Sequence, residues 1–262
     1  LSVGLSCGGE IGVLVLANWP DDPVEAELDR CLETGAVAAL VTGVTDHVRG
    51  LRLLVRPNGS TVGSLGDRSV DDAIVAKADS LLATEGARLL GLDDGTEVFV
   101  DPLLPPRRLI IVGATPAAEA LTRMATLAGF RVVIVEPREE LARPEQFPDA
   151  SLVRAWPDDA LAELDLDPWT AVAVLAHDER LDVPALRAAL GARCGYVGLL
   201  GGRRTQRLRR QSLEAEGLAG EDVDRIRGPI GLDIGASTPA EIAVSVLAEV
   251  VAARRGAPTG GP

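Results

Sequence analysis

Short runs of Val, Ile, Leu and Ala alternate along this chain with stretches whose apolar residues recur three or four apart. Residues 10–17 are the first such run and read as a strand. Residues 22–35 read as a helix, with Pro23 near its start and Leu28, Cys31 and Leu32 on one face. Residues 36–42 and 51–56 read as strands, the second closed by the turn Pro57-Asn58-Gly59. A helix is expected over 70–83. Residues 88–92 and 97–101 flank Asp93-Asp94-Gly95, a hairpin signal.

After the proline-rich stretch Asp101-Pro102-Leu103-Leu104-Pro105-Pro106 the pattern changes to regular strand–helix alternation. Strands are expected at 108–112, 131–135, 152–155, 171–176 and 196–200. Helices are expected at 117–128, 183–190, 205–217 and 238–255. The last opens on Thr238, Pro239 and Glu241, which supply an N-cap, a proline at the first helical position and a capping-box carboxylate. Short strands alternating with helices predict a parallel sheet covered on both faces. The fold expected is therefore α/β, a small mixed α/β N-terminal domain followed by a Rossmann-like parallel-sheet C-terminal domain. The domains read as 1–101 and 107–256, joined by a linker at 102–106, with a tail at 257–262.

Composition narrows the function classes. The 262 residues are 47% hydrophobic and 3% aromatic, so the core is built from aliphatic side chains. A formal net charge of −13 opposes binding to nucleic acid or an anionic membrane, since both are polyanions. Lys77 is the only lysine, so almost all positive charge is arginine. Cys7, Cys31 and Cys194 form no CxxC pair and no zinc spacing, which points away from a disulfide framework and towards a reducing cytoplasm. No apolar run reaches the length of a membrane span, and no signal peptide is evident. The sequence opens without Met, almost directly into a strand-like segment, so a preceding piece is expected.

Five places carry candidate chemistry. In Gly113-Ala114-Thr115-Pro116-Ala117-Ala118, Gly113 and Ala118 fit a dinucleotide fingerprint, but Thr115 stands where glycine lets a backbone approach pyrophosphate. Pro116 also removes one helix-start N–H. Glu136 follows the next strand, at the distance of an acid that binds a ribose hydroxyl. The turn thus reads either as a nucleotide loop or as a plain strand–helix joint. His177-Asp178 closes a strand where open parallel sheets bind ligands, so His177 is a candidate acid, base or metal ligand, with Asp178 as the alternative helix cap. Gly201-Gly202-Arg203-Arg204 joins a strand to a helix and suits an anion, through backbone N–H groups and guanidinium forks. The residues 228–235 are glycine-rich and apolar around Asp233, and either pack on the sheet or shape a pocket. Lastly, Cys7 lies among Gly4, Gly8 and Gly9, as inert packing or as a presented sulfur.

Taken in order, GLSCGGEIGVLV, VGATPAAEAL, VEPRE, AHDERLD, YVGLLGGRRTQRL and GPIGLDIGASTPAEIAVSVLAEV resemble the XdhC/CoxI family over nearly the whole chain. The resemblance implies an accessory protein of molybdenum hydroxylases such as xanthine dehydrogenase and carbon monoxide dehydrogenase. Such a protein binds molybdenum cofactor, supports its sulfuration and passes it to the apo-enzyme. It places the cofactor-binding cysteine at Cys7-Gly8-Gly9 and implies a homodimer, with a cysteine desulfurase as a further partner. The cofactor is bare molybdopterin or its cytosine dinucleotide form. Its anionic phosphate matches the cradle of Gly201, Gly202, Arg203 and Arg204, with Gly113, Thr115, Glu136 and Asp233 as further contacts. An NAD(P)-dependent oxidoreductase using His177, and a non-catalytic scaffold, are the competing readings.

Overall fold

The computed structural model describes residues 13–16, 22–83 and 85–257. The chain divides into two compact units between Pro105 and Pro106.

In the first unit, α1 (Pro23–Thr34) begins where Asp22 accepts a hydrogen bond from the Val24 N–H at 2.8 Å, and it ends on Gly35. Next come β1 (Ala38–Gly43), β2 (Arg52–Val55), β3 (Thr61–Ser64), α2 (Arg68–Val75), α3 (Ala78–Ala83), β4 (Arg88–Gly91) and β5 (Glu97–Leu103). The strands form an antiparallel five-stranded sheet in the order β3-β2-β1-β5-β4. Val41, Leu53, Val55, Val98 and Val100 pack one sheet face against Val70, Ile74 and Leu81. On the other face, Val24 and Cys31 of α1 cover Ala38 and Leu54, and Arg52 pairs with Asp22 and Glu25.

Three expectations change here, and one strand is additional to them. Residues 13–16 are irregular rather than a strand, and the rest of that run lies outside the described residues. The helix expected over 70–83 is two helices. Asp67 starts the first by accepting from Ser69 N–H, and the break after it brings Ala78, Leu81 and Leu82 into the same core. The strand β3 is short and exposed, so only its pairing with β2 defines it. Finally, β5 runs on through Pro102 to Leu103, paired with Ala39 and Ala38, so strand occupies the first residues of the expected linker.

The second unit holds β6 (Arg108–Val112), α4 (Pro116–Leu127), β7 (Arg131–Val135), β8 (Ala150–Val153), α5 (Pro157–Glu163) and β9 (Thr170–Val174). It continues with α6 (Glu179–Gly191), β10 (Tyr196–Leu199), α7 (Arg203–Ala215), α8 (Gly220–Val223), β11 (Ile226–Arg227) and α9 (Pro239–Arg254). Its six strands are parallel, in the order β11-β10-β9-β6-β7-β8. This is the doubly wound order of the dinucleotide-binding fold, with its topological switch between β6 and β9. Side chains alternate between the two faces. Ile110, Val112, Val172 and Val174 pack under α5, α6 and α7, while Leu109, Ile111, Ala171 and Ala173 pack under α4 and α9. The α5, α8 and β11 elements are too short to have shown a period in the sequence.

Candidate functional site

The strand ends at the switch point are pinned tightly. Past the last strand residues, Leu175 N–H donates to Val112 O at 2.8 Å and Gly113 N–H to Val135 O at 2.9 Å. Gly113 has φ +101°, and a Cβ there would lie 2.6 Å from Ala176 Cα. Glycine is therefore required by the meeting of two loops, whatever ligand is bound. Thr115 caps α4 by accepting from Ala118 N–H at 3.2 Å, and Pro116 holds the first helical position. The side chain at the middle fingerprint position thus serves the helix.

Glu136, at the end of β7, is wholly buried. Its Oε1 accepts from Arg138 N–H at 3.2 Å and Arg138 Nε at 2.6 Å. Its Oε2 accepts from Ala114 N–H at 3.2 Å and Arg138 Nη2 at 2.9 Å. Burial pushes the carboxyl's pKa up, but the Arg138 fork and the two backbone N–H groups outweigh it and hold the pKa below its ordinary value. Arg138 keeps its side chain 39% exposed.

After β9, His177 is exposed and takes the left-handed φ of +58°, a sparsely populated conformation for a non-glycine residue. Asp178 caps α6 through Arg180 N–H at 3.0 Å, and the Arg180 guanidinium grips the same carboxylate at 3.1 and 2.8 Å. That grip lowers the Asp178 pKa to about 2. Asp178 is thus a helix cap and an anion at neutral pH, which fits poorly with an acid–base role.

The arginine-rich helix α7 separates into two sets. Arg209 is buried against Asp182, with its Nε 3.0 Å from Oδ2. Arg210 donates to the carbonyls of Val223 and Ile226 at 2.9 and 2.8 Å. Arg203, Arg204 and Arg207 have no hydrogen-bond or ion-pair partner among the described residues, and all three are exposed. Arg203 and Arg207 are one helical turn apart with Arg204 beside them, so the unpaired guanidinium groups share one arc. Gly202 caps α7 without a side-chain hydrogen bond, and the first turn carries no acid.

The glycine-rich loop packs on the sheet. Ile230 N–H donates to Leu199 O at 2.9 Å, and Leu232 N–H to Ser245 O at 3.2 Å. Buried Glu249 accepts from Gly231 N–H at 2.8 Å and Tyr196 OH at 2.6 Å. Asp233 is exposed on that loop. Cys7, Gly8 and Gly9 lie outside the described residues. Cys31 and Cys194 are free and buried, and burial pushes the Cys194 thiol up to about 11.

The strand ends of the second unit thus gather Gly113, Thr115, Glu136, His177, Asp178, Gly201, Gly202, Arg203 and Arg204 along one edge of its sheet. Sequence reasoning missed Arg138 and Arg180, and set Arg207 aside in favour of Arg203 and Arg204. Arg138 is two residues from Glu136, and opposite charges at that spacing just past a strand end were the available signal.

Residues 109–250 match the XdhC Rossmann domain, and residues 32–93 match the XdhC and CoxI family. The chain belongs to the XdhC and CoxI family. It is 34% identical over 258 residues to a probable xanthine dehydrogenase subunit of Bacillus subtilis (strain 168), covering 97% of this chain and 72% of that protein. It is 34% identical over 161 residues to the molybdenum cofactor insertion chaperone PaoD of Escherichia coli (strain K12), covering 62% of this chain and 43% of PaoD. The match to YqeB of the same organism is 32% over 225 residues, so the chain spans 41% of that relative's length. In fold, this XdhC and CoxI family chain is similar to a crystal structure of a xanthine dehydrogenase from Bacillus halodurans. The TM-score is 0.68 at 23% identity, over 90% of this chain and 68% of that one. Among the described residues no helix is long and apolar enough to cross a membrane.

Proposed function

We propose that this XdhC/CoxI-family chain binds molybdenum cofactor as cargo, supports its sulfuration and delivers it to an apo molybdenum hydroxylase of the xanthine dehydrogenase or carbon monoxide dehydrogenase type. The carrying observation is the arc of Arg203, Arg204 and Arg207, unpaired among the described residues in a chain of net charge −13. Three guanidinium groups without a protein partner among the described residues, beside a helix start with no side-chain cap, favour a phosphate-bearing ligand. Molybdopterin ends in a phosphate, alone or within its cytosine dinucleotide form. Gly201 and Gly202 let that group approach the backbone, and Asp233 lines the neighbouring loop. The similarity to PaoD supports the same reading.

Cys7 is the sulfur that meets the cofactor, as the family motif implies. The two described cysteines are buried, and burial raises their thiol pKa values, which disfavours thiolate chemistry at either. The hydroxylase, a cysteine desulfurase and a second copy of the chain are the partners this role requires. Hydride transfer through NAD(P) is the weaker reading, because Asp178 beside His177 is held as an anion by Arg180 and the Glu136 carboxylate that would accept a ribose diol is already engaged.

Titration with isolated molybdenum cofactor tests the proposal. Arg203→Ala/Arg204→Ala is expected to weaken binding about tenfold or more. A Cys7→Ala protein that binds as tightly as the wild type removes the thiol from the site. Unchanged affinity in the arginine variant removes the cradle.

A further inference from the structure

Glu136 stands where dinucleotide-binding domains of this topology place the acid that accepts hydrogen bonds from a ribose diol. A carboxylate offers about four acceptor positions. Here Arg138 N–H, Arg138 Nε, Arg138 Nη2 and Ala114 N–H already occupy them, and the carboxylate is wholly buried. A ribose diol arriving here finds no acceptor. What it meets instead is donor capacity. A guanidinium carries about five N–H groups, and the Glu136 fork engages Nε and one N–H of Nη2. The remainder belong to a side chain 39% exposed. The charges near Arg138 are Asp178, Glu140 and Arg180. Asp178 is itself neutralised by the bidentate Arg180 grip.

We propose that the strand-end position beside Glu136 recognises a phosphate monoester where a related fold would read a ribose diol, with Arg138 as the recognising group and Glu136 as its positioning residue. The buried carboxylate fixes the plane of the guanidinium, so its free edge meets phosphate as a preorganised fork. The inference rests on the proposed reading only in taking the strand ends as the ligand site.

Two sources of that chemistry exist, a nucleotide phosphate and the terminal phosphate of a pterin. NADP and NAD differ by one phosphate on the ribose and serve as the probe pair, with isolated molybdenum cofactor as a separate arm. By calorimetric titration of the wild type at fixed ionic strength, NADP is expected to bind at least about tenfold tighter than NAD. Arg138→Ala is expected to bring the two within about twofold of each other. Arg138→Lys keeps a cation opposite Glu136 should the alanine variant not fold, and is expected to narrow the preference through loss of the fork. NAD binding as tightly as NADP, binding of neither, or a preference that survives both substitutions overturns the inference. Cofactor binding that persists while NADP fails overturns this inference alone. Cofactor failing to bind while the NADP preference holds overturns the proposed cargo alone.

Discussion

Arg209 on α7 donates from Nε to Asp182 on α6 at 3.0 Å, and the aspartate is wholly buried. Asp182 Oδ1 has no hydrogen-bond partner among the described residues, and burial raises this carboxyl's pKa despite the arginine beside it. Removing one partner of such a pair leaves an uncompensated buried charge. Arg209→Leu is therefore expected to destabilise the fold by about 3–5 kcal/mol, measured by urea unfolding. The double change Asp182→Leu/Arg209→Leu is expected to recover most of that loss. A single variant as stable as wild type would show that the pair does not hold α6 to α7.

The Tyr196 hydroxyl and Gly231 N–H both donate to Glu249, tying the glycine-rich loop and β10 to α9. Tyr196→Phe removes one donor from a buried carboxylate and is expected to cost about 1–3 kcal/mol. Glu249→Leu is expected to loosen the loop as well. Hydrogen exchange at Ile230 and Leu232, whose N–H groups bond to Leu199 O and Ser245 O, reads this directly.

Gly113→Ala is expected to lower stability by at least about 2 kcal/mol. The added methyl meets backbone atoms of Ala176 at 2.6 and 2.7 Å, and φ is +101°. A thermal melt reads the loss. By contrast, Gly202→Ala meets open space at its Cβ and is expected to cost only the loss of a favourable N-cap residue, about 1 kcal/mol.

Arg203→Ala and Arg204→Ala are expected to leave stability within about 0.5 kcal/mol, because neither guanidinium has a partner to lose among the described residues. Arg210→Ala strips the donors from the Val223 and Ile226 carbonyls and is expected to cost about 1–3 kcal/mol. Chemical unfolding of the three variants side by side separates ligand-facing arginines from structural ones.

Glu241 closes the capping box of α9, accepting from the Ser237 and Thr238 N–H groups, which lower its pKa from 4.5 to about 2. A lowered folded-state value means the contribution is complete above the unfolded value. It is lost as pH falls through the window from 4.5 to about 2. Melting temperature followed down through that window is expected to fall less steeply in Glu241→Gln than in wild type. Asp182 works in the opposite sense. Its raised folded value makes its contribution fall as pH rises above the ordinary 3.8.

The second unit was legible in the chain's own pattern, because local signals and long-range burial agree there. The strands at 108–112 and 131–135 coincide with β6 and β7, and the Thr238–Glu241 capping box is present as read. Parallel strands buried on both faces must be continuous apolar runs, and such runs are visible without tertiary information. In the first unit the signal fails at β3, whose exposed residues become a strand only by pairing with β2.

At the candidate site, residue type alone marked Glu136, His177, Arg203 and Arg204. Which of the charges are free was set by packing. Arg209 and Arg210 look identical to Arg203, Arg204 and Arg207 in sequence, yet the first two are spent on Asp182 and on backbone carbonyls. Likewise Glu136 reads as a ribose acceptor until Arg138 and Ala114 are seen to fill its lone pairs. Whether a charged side chain can serve a ligand depends on the hydrogen bonds it has already made, and the fold sets those partners across long stretches of chain.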